Sequence, residues 1–145
     1  MKILILNWQD IRNPLAGGAE VHLHEIFCRI VQQGHSVTLF CSSYPGSAPE
    51  ETIKGIRVVR RGGRYTFNFR LLWHYLTRLR KESYDVVVDD MNKIPFFTPA
   101  YIRRPLTVVV HHLFDKSIFL EAPSKSGVFD MEGNEFKFKG EMFVI

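Results

Sequence analysis

Two adjacent glycines, Gly17 and Gly18, stand between an apolar run, Ile3 to Leu6, and a helix-patterned segment that reaches about Gln33. Strand, glycine turn and helix start in that order can bind an anion. The glycines let backbone N–H groups approach a ligand, and the first helical turn offers unpaired donors at the positive end of its dipole. A phosphate suits such a site, although the same pair also serves as a plain tight turn, and spacing alone leaves both readings open. His111 follows directly on the apolar run Leu106 to Val110. At a strand's carboxyl end its imidazole could donate a hydrogen bond to a hydroxyl or phosphate oxygen, or act as a satisfied structural residue. Other groupings fall short of a metal site. His22 and His24 are two apart on a helix and diverge, and Asp89 and Asp90 are adjacent strand-end residues pointing to opposite faces. One of the two aspartates reads as a helix cap or a ligand-facing loop residue.

Positioning these groups requires alternating strands and helices. Lys2 to Leu6, Ser36 to Cys41, Ile56 to Val59, Tyr84 to Val88 and Leu106 to Val110 are short apolar runs, as expected of parallel strands covered on both faces. Between the first two, Leu23, Ile26, Phe27, Ile30 and Val31 form a helical stripe that Gly34 ends as a left-handed cap. Ser42 to Glu51, with Pro45, Gly46 and Pro49, reads as a surface loop. Phe69, Leu72, Trp73, Leu76 and Leu79 recur at helical spacing, which predicts an amphipathic helix over 68–81 with that stripe on the core. Asn92 to Ala100 begins a short, proline-led helix. The expectation is a three-layer α/β domain with a mainly parallel sheet of about five strands.

The chain's 145 residues are of single-domain size, and 46% hydrophobic with 23% charged residues describes a water-soluble globular protein. No apolar run approaches the ~20 residues of a membrane span, and the opening run is too short for a signal peptide, so a cytoplasmic address is expected. Cys28 and Cys41 read as buried free thiols. The net charge of +4 is concentrated between Thr52 and Lys81, where no acidic residue occurs. Arg57, Arg60, Arg61 and Arg64 there are expected to form a basic surface patch. Such a segment is either a solvated face or a contact for a peripheral anionic membrane or an anionic lipid-linked acceptor. No nucleic-acid motif accompanies it.

Several stretches together carry a resemblance. Asn7-Trp8-Gln9-Asp10, Pro14-Leu15-Ala16-Gly17-Gly18-Ala19-Glu20-Val21-His22 and Gly34-His35-Ser36-Val37-Thr38-Leu39 resemble the amino-terminal half of a retaining GT-B glycosyltransferase of group 1, or family 4. Asp85 to Val88 running into Asn92 to Pro99, and Val108 to Phe114, agree in order. The resemblance covers Met1 to about Pro123 and implies a Rossmann-like, acceptor-side domain over 1–123. It implies metal-free transfer of a sugar from a nucleotide-diphosphate sugar, a substrate rather than a cofactor, to a saccharide or lipid-linked acceptor. By the same resemblance, Gly17 and Gly18 match the glycines that approach the donor diphosphate, and His111 matches a residue at the reaction centre. Asp10 and Asn92 take weaker, acceptor-binding roles, and Glu20 stabilises the first helical turn.

After Ser124 the sequence departs from the family pattern. In 124–145, Phe136, Phe138, Met142 and Val144 alternate with charged residues around Gly133-Asn134, a β-hairpin pattern. The paired glutamates and basic residues with which the family's second domain grips the donor do not occur. The expected function is therefore half of a glycosyltransferase, completed by a second subunit. The alternatives are a noncatalytic glycan- or partner-binding module and an inactive truncated fragment.

Overall fold

A computed structural model describes residues 1–91, 95–110 and 141–144. Its strands are β1 (Lys2–Leu6), β2 (Ser36–Cys41), β3 (Glu50–Ile53), β4 (Ile56–Arg60), β5 (Val86–Met91), β6 (Leu106–Val110) and β7 (Glu141–Val144). Helices α1 (Gly18–Gln32) and α2 (Phe67–Thr77) pack on the sheet, and short 3₁₀ turns follow at Leu79–Lys81 and Thr98–Ala100. The seven strands form one sheet in the order β3-β4-β2-β1-β5-β6-β7, parallel throughout except for the β3–β4 pair. From β1 the chain moves outward through β2 to β4, then returns to the other side of β1 as β5. That reversal opens a crevice at the carboxyl ends of β1 and β5, where sheets of this kind hold ligands.

Alternation along the strands separates two cores. Leu4, Leu6, Phe40, Val59 and Val87 face α2 with Phe67, Leu71 and Tyr75. Ile3, Ile5, Leu39, Val58 and Val88 face α1 with Leu23 and Cys28. Covering on both faces explains why the central strands are apolar at consecutive positions. Gly34 lies at φ 86° and donates to the Val31 carbonyl at 2.9 Å, the left-handed helix cap its position predicted. Cys28 and Cys41 are buried free thiols.

Three local expectations differ from the structure. The end of the supposed surface loop is strand β3, joined to β4 by Lys54 at φ 45° and Gly55 at φ 86°. Two consecutive left-handed residues make a tight hairpin, and a lysine in the first of them gives little warning of it. Secondly, α2 buries Phe67, Leu71 and Tyr75, while Phe69, Leu72, Trp73 and Leu76 are exposed. Both stripes have helical spacing, and aromatic packing chooses between them: the Phe67 ring stacks on Phe40 at 5.8 Å and meets the edges of Phe96 and Trp8 at 5.5 and 6.2 Å. Thirdly, Asp89 and Asp90 are buried strand residues of β5, not cap or loop residues, because the strand runs on to Met91. Glu141–Val144, within the segment patterned as a hairpin, is a strand that pairs in parallel with β6 as an added edge. The hairpin turn proposed at Gly133-Asn134 lies outside the described residues, as does the start of the proline-led helix at Asn92; its described part is the 3₁₀ turn at Thr98–Ala100.

Candidate active-site cleft

The loop from Asn7 to Gly17 connects β1 to α1 and is held by side chains at almost every step. Buried Asn7 accepts from the Trp8 N–H at 2.7 Å and donates to the Gln9 carbonyl at 3.1 Å. The Trp8 carbonyl accepts from the Ser42 N–H and hydroxyl at 3.0 and 2.6 Å. Asp10 accepts from the Arg12 N–H at 2.9 Å, and Asn13 from the Leu15 N–H at 2.9 Å. Glu20 reaches back to the Gly17 N–H at 2.7 Å, satisfying one of the helix's open donors in the manner of a capping box. This is the first-turn stabilisation expected of Glu20.

Arg60 fixes the whole loop from beneath. Its guanidinium donates to Asp10 through Nε–Oδ2 at 2.6 Å and Nη2–Oδ1 at 2.8 Å, donates to the Ala48 carbonyl at 3.0 Å, and pairs with Glu51. The Tyr44 ring lies 5.3 Å from its centre. The side chain is completely buried, so Arg60 is no part of a surface patch. It stands at the end of β4, Cys41 at the end of β2 intervenes, and Asp10 lies beyond the end of β1. Burial alone would raise the Asp10 carboxyl, but the bonds from Arg60 and the Arg12 N–H outweigh it and hold the group below its ordinary value. The bond from Asp10 in turn raises Arg60. With both oxygens engaged, Asp10 supports the loop and does not line the cleft, contrary to the acceptor role expected of it.

The other patch residues divide as well. Arg57 pairs with Glu50 at 3.2 Å and Glu82 at 3.6 Å, and Arg61 with Glu50. Arg64 is the member of the predicted patch that lines the cleft.

That cleft has a volume of about 1090 Å³, the size of a small-molecule site. Gly17, Gly18 and Ala19 form one wall; Trp8 and Gln9 lie between; Tyr65 and Phe69 of the α2 region and Phe96, Phe97 and Tyr101 form the other side. A Cβ added at Gly18 would meet nothing within 4 Å, and one at Gly17 would meet only Glu20 Oε2, at 3.7 Å. Neither glycine has the positive φ that would require one. Their absence of side chain leaves room on the ligand side rather than relieving strain. Because Gly17 N–H is already held by Glu20, the donors left for an anion are those of the following residues.

Below the aromatic side, Thr98 donates its hydroxyl to Asp89, which fastens the 95–101 segment to β5. Burial pushes the Asp89 carboxyl up to about 6, the Thr98 bond opposes this, and Asp90 adds to it. Phe97 is held at φ 56° and ψ 29° with its ring exposed at the cleft, an unusual backbone state for a bulky residue. The sequence reading missed these aromatic walls. The available signal was Trp8, placed just past the β1 carboxyl end. Gly17 and Gly18 line the cleft, whereas His111 and Asn92 lie outside the described residues.

Among curated proteins none matches this chain. The model of Glycosyltransferase Family 4 matches residues 16–132, a span that includes the glycine pair, α1, both cores except their β1 residues, and the aromatic side of the cleft from Tyr65 to Tyr101. With the glycine turn, the parallel sheet and the cleft at its carboxyl edge, this match establishes that the chain belongs to glycosyltransferase family 4.

Proposed function

We propose that the domain over 1–123 is the acceptor-side half of a hexosyltransferase that takes its sugar from a nucleotide-diphosphate donor. The observation that carries this reading is the pairing of an unobstructed glycine wall with an aromatic wall across one cleft. The open helix start at Gly18 meets the charge that develops on the leaving diphosphate. The aromatic wall offers ring faces on which an acceptor sugar can stack. His111, next in sequence after the carboxyl end of β6, orients the donor sugar, and Asn92 contacts the acceptor. The donor-binding half is supplied by a second domain or subunit, and the transfer needs no resident metal or cofactor. The reading places the protein in the cytoplasm, acting on a saccharide or lipid-linked acceptor in glycan biosynthesis.

Trp8 makes the acceptor half testable. In a Trp73→Phe background its fluorescence reports on the cleft alone, since the chain holds only two tryptophans. Titration with methyl and octyl glycosides should give saturable quenching that Gly18→Leu, which fills the glycine side without adding a fluorophore, abolishes. Quenching by none of them, or equal quenching in Gly18→Leu, would overturn the assignment of this cleft.

A further inference from the structure

Beyond the cleft wall, the outward face of α2 at Trp73 and Leu76 has no counterpart in the transferase reading. Phe69, Leu72, Trp73 and Leu76 follow the spacing of a single helical stripe, and Phe69 and Trp73 are 76% and 64% exposed. Tyr65, 90% exposed, extends the strip at the amino-terminal end. Through Tyr65, Phe69 and Leu72 the strip runs without a break into the cleft. An exposed apolar strip of this kind marks an interaction surface.

The cations around the strip determine what can cover it. Among the described residues Arg64 in the cleft lining beside the strip, Arg70 of α2 and Arg78, Arg80 and Lys81 just past its end form no ion pair, unlike Arg57, Arg60 and Arg61, and no acidic residue occurs between Thr52 and Lys81. A second copy seated symmetrically on this face would bring one basic rim against another, which disfavours association. An anionic bilayer offers the complementary arrangement: acyl chains for Phe69, Leu72 and Leu76, the headgroup boundary for Trp73 and Tyr65, and lipid phosphates for the arginines. No helix among the described residues is long and apolar enough to cross a membrane, so contact of this kind lies along the surface.

We propose that the outward face of α2 is an in-plane docking surface for anionic lipid bilayers, with the cleft opening beside the membrane. The docking face shares Tyr65, Phe69 and Leu72 with the cleft wall, and the geometry would present a lipid-linked acceptor directly to the aromatic rings.

The test is flotation of the full chain with vesicles of phosphatidylcholine alone and of phosphatidylcholine mixed with phosphatidylglycerol. Binding is expected to the mixed vesicles, to weaken as salt is raised, and to shift Trp73 fluorescence to the blue in a Trp8→Phe background. Phe69→Ser with Trp73→Ser should reduce binding by roughly tenfold or more. Its far-ultraviolet circular dichroism and unfolding midpoint should stay unchanged, because both side chains are exposed. Arg78→Ser with Arg80→Ser should remove much of the preference for the anionic lipid. No flotation with mixed vesicles overturns the proposal, and so does undiminished binding of the aromatic double variant. A dimer of the parent chain that the double variant converts to monomer, without vesicle binding, would assign the face to a second copy instead. These vesicles contain neither donor nor acceptor, so a negative result leaves the transferase reading standing.

Discussion

Replacing Arg60 by methionine should destabilise this domain far more than removal of a surface arginine would. The change removes both bonds to Asp10, at 2.6 and 2.8 Å, from a site where the arginine side chain is fully buried. Asp10 then keeps only the Arg12 N–H and the Cys41 thiol as donors, and burial, which raises its carboxyl, is no longer opposed by a guanidinium. The cost at neutral pH is limited by protonation of Asp10 and falls in the ~3–5 kcal/mol range typical of breaking one partner out of a buried pair. For a chain of this length it would lower the thermal midpoint by roughly 10–15 °C. The sign of the pH dependence is distinctive. In the parent protein Asp10 has a lowered folded-state value, so its contribution is present above about 3.8 and lost as pH falls through that lowered value. In the variant the same group has a raised value, and its burden decreases as pH falls from 7 towards 4. Urea unfolding should therefore show a gap between parent and variant that narrows markedly from pH 7 to pH 5. Asp10→Leu combined with Arg60→Met should recover much of the loss, because two apolar side chains leave no buried charge. A gap below about 1 kcal/mol at pH 7, the range of exposed pairs, or a gap independent of pH, would refute this account of the loop.

Glycine substitutions should separate structure from function. Gly18→Ala should leave the unfolding free energy unchanged or raise it by up to about 1 kcal/mol, while weakening any diphosphate contact at the helix start. Gly55→Ala should cost roughly 1–3 kcal/mol by urea unfolding, since its φ is +86° and its Cβ would lie 2.6 Å from Val31 Cγ1 on α1. Carboxyl-carbon NMR should show Asp89 titrating near 6, and Thr98→Val should raise it further by removing the opposing hydrogen bond. Because that value is raised, the contribution of Asp89 to stability is complete below about 3.8 and lost as pH rises through about 6. Asp89→Asn should accordingly stabilise the domain at pH 8, on the order of 1–3 kcal/mol, and have little effect near pH 3.5. Cys41, with its thiol raised well above the ordinary value mainly by burial, should react with a disulfide reagent only when the chain is unfolded in urea.

The five central strands were legible because parallel strands buried on both faces leave unbroken apolar runs, as Ile3 to Leu6 and Leu106 to Val110 do. The glycine turn was legible because strand, glycine pair and helix follow one another within a short local stretch. What could not be read depends on contacts between distant segments. In α2 two apolar stripes compete, and the choice is made by Phe40, Trp8 and Phe96 from three other parts of the chain. Arg60 looked like one of several surface cations, yet it follows Val58 and Val59 in a strand covered on both faces, which is a signal for burial. Its partner lies 50 residues away, and nothing local identifies it. Asp10 was assigned to the acceptor by resemblance, whereas its carboxylate holds the loop that carries the cleft.

The central claim is that a donor diphosphate approaches the start of α1 across the cleft. Backbone amide NMR of the full chain, titrated with uridine, guanosine and adenosine diphosphate sugars, tests it at the atoms concerned. The account predicts saturable shifts at Gly18, Ala19 and His111 with at least one donor, in the millimolar range expected of a half-site, and their loss in Gly18→Ala. Shifts confined to the arginines of α2, or none at the helix start with any donor, would contradict it.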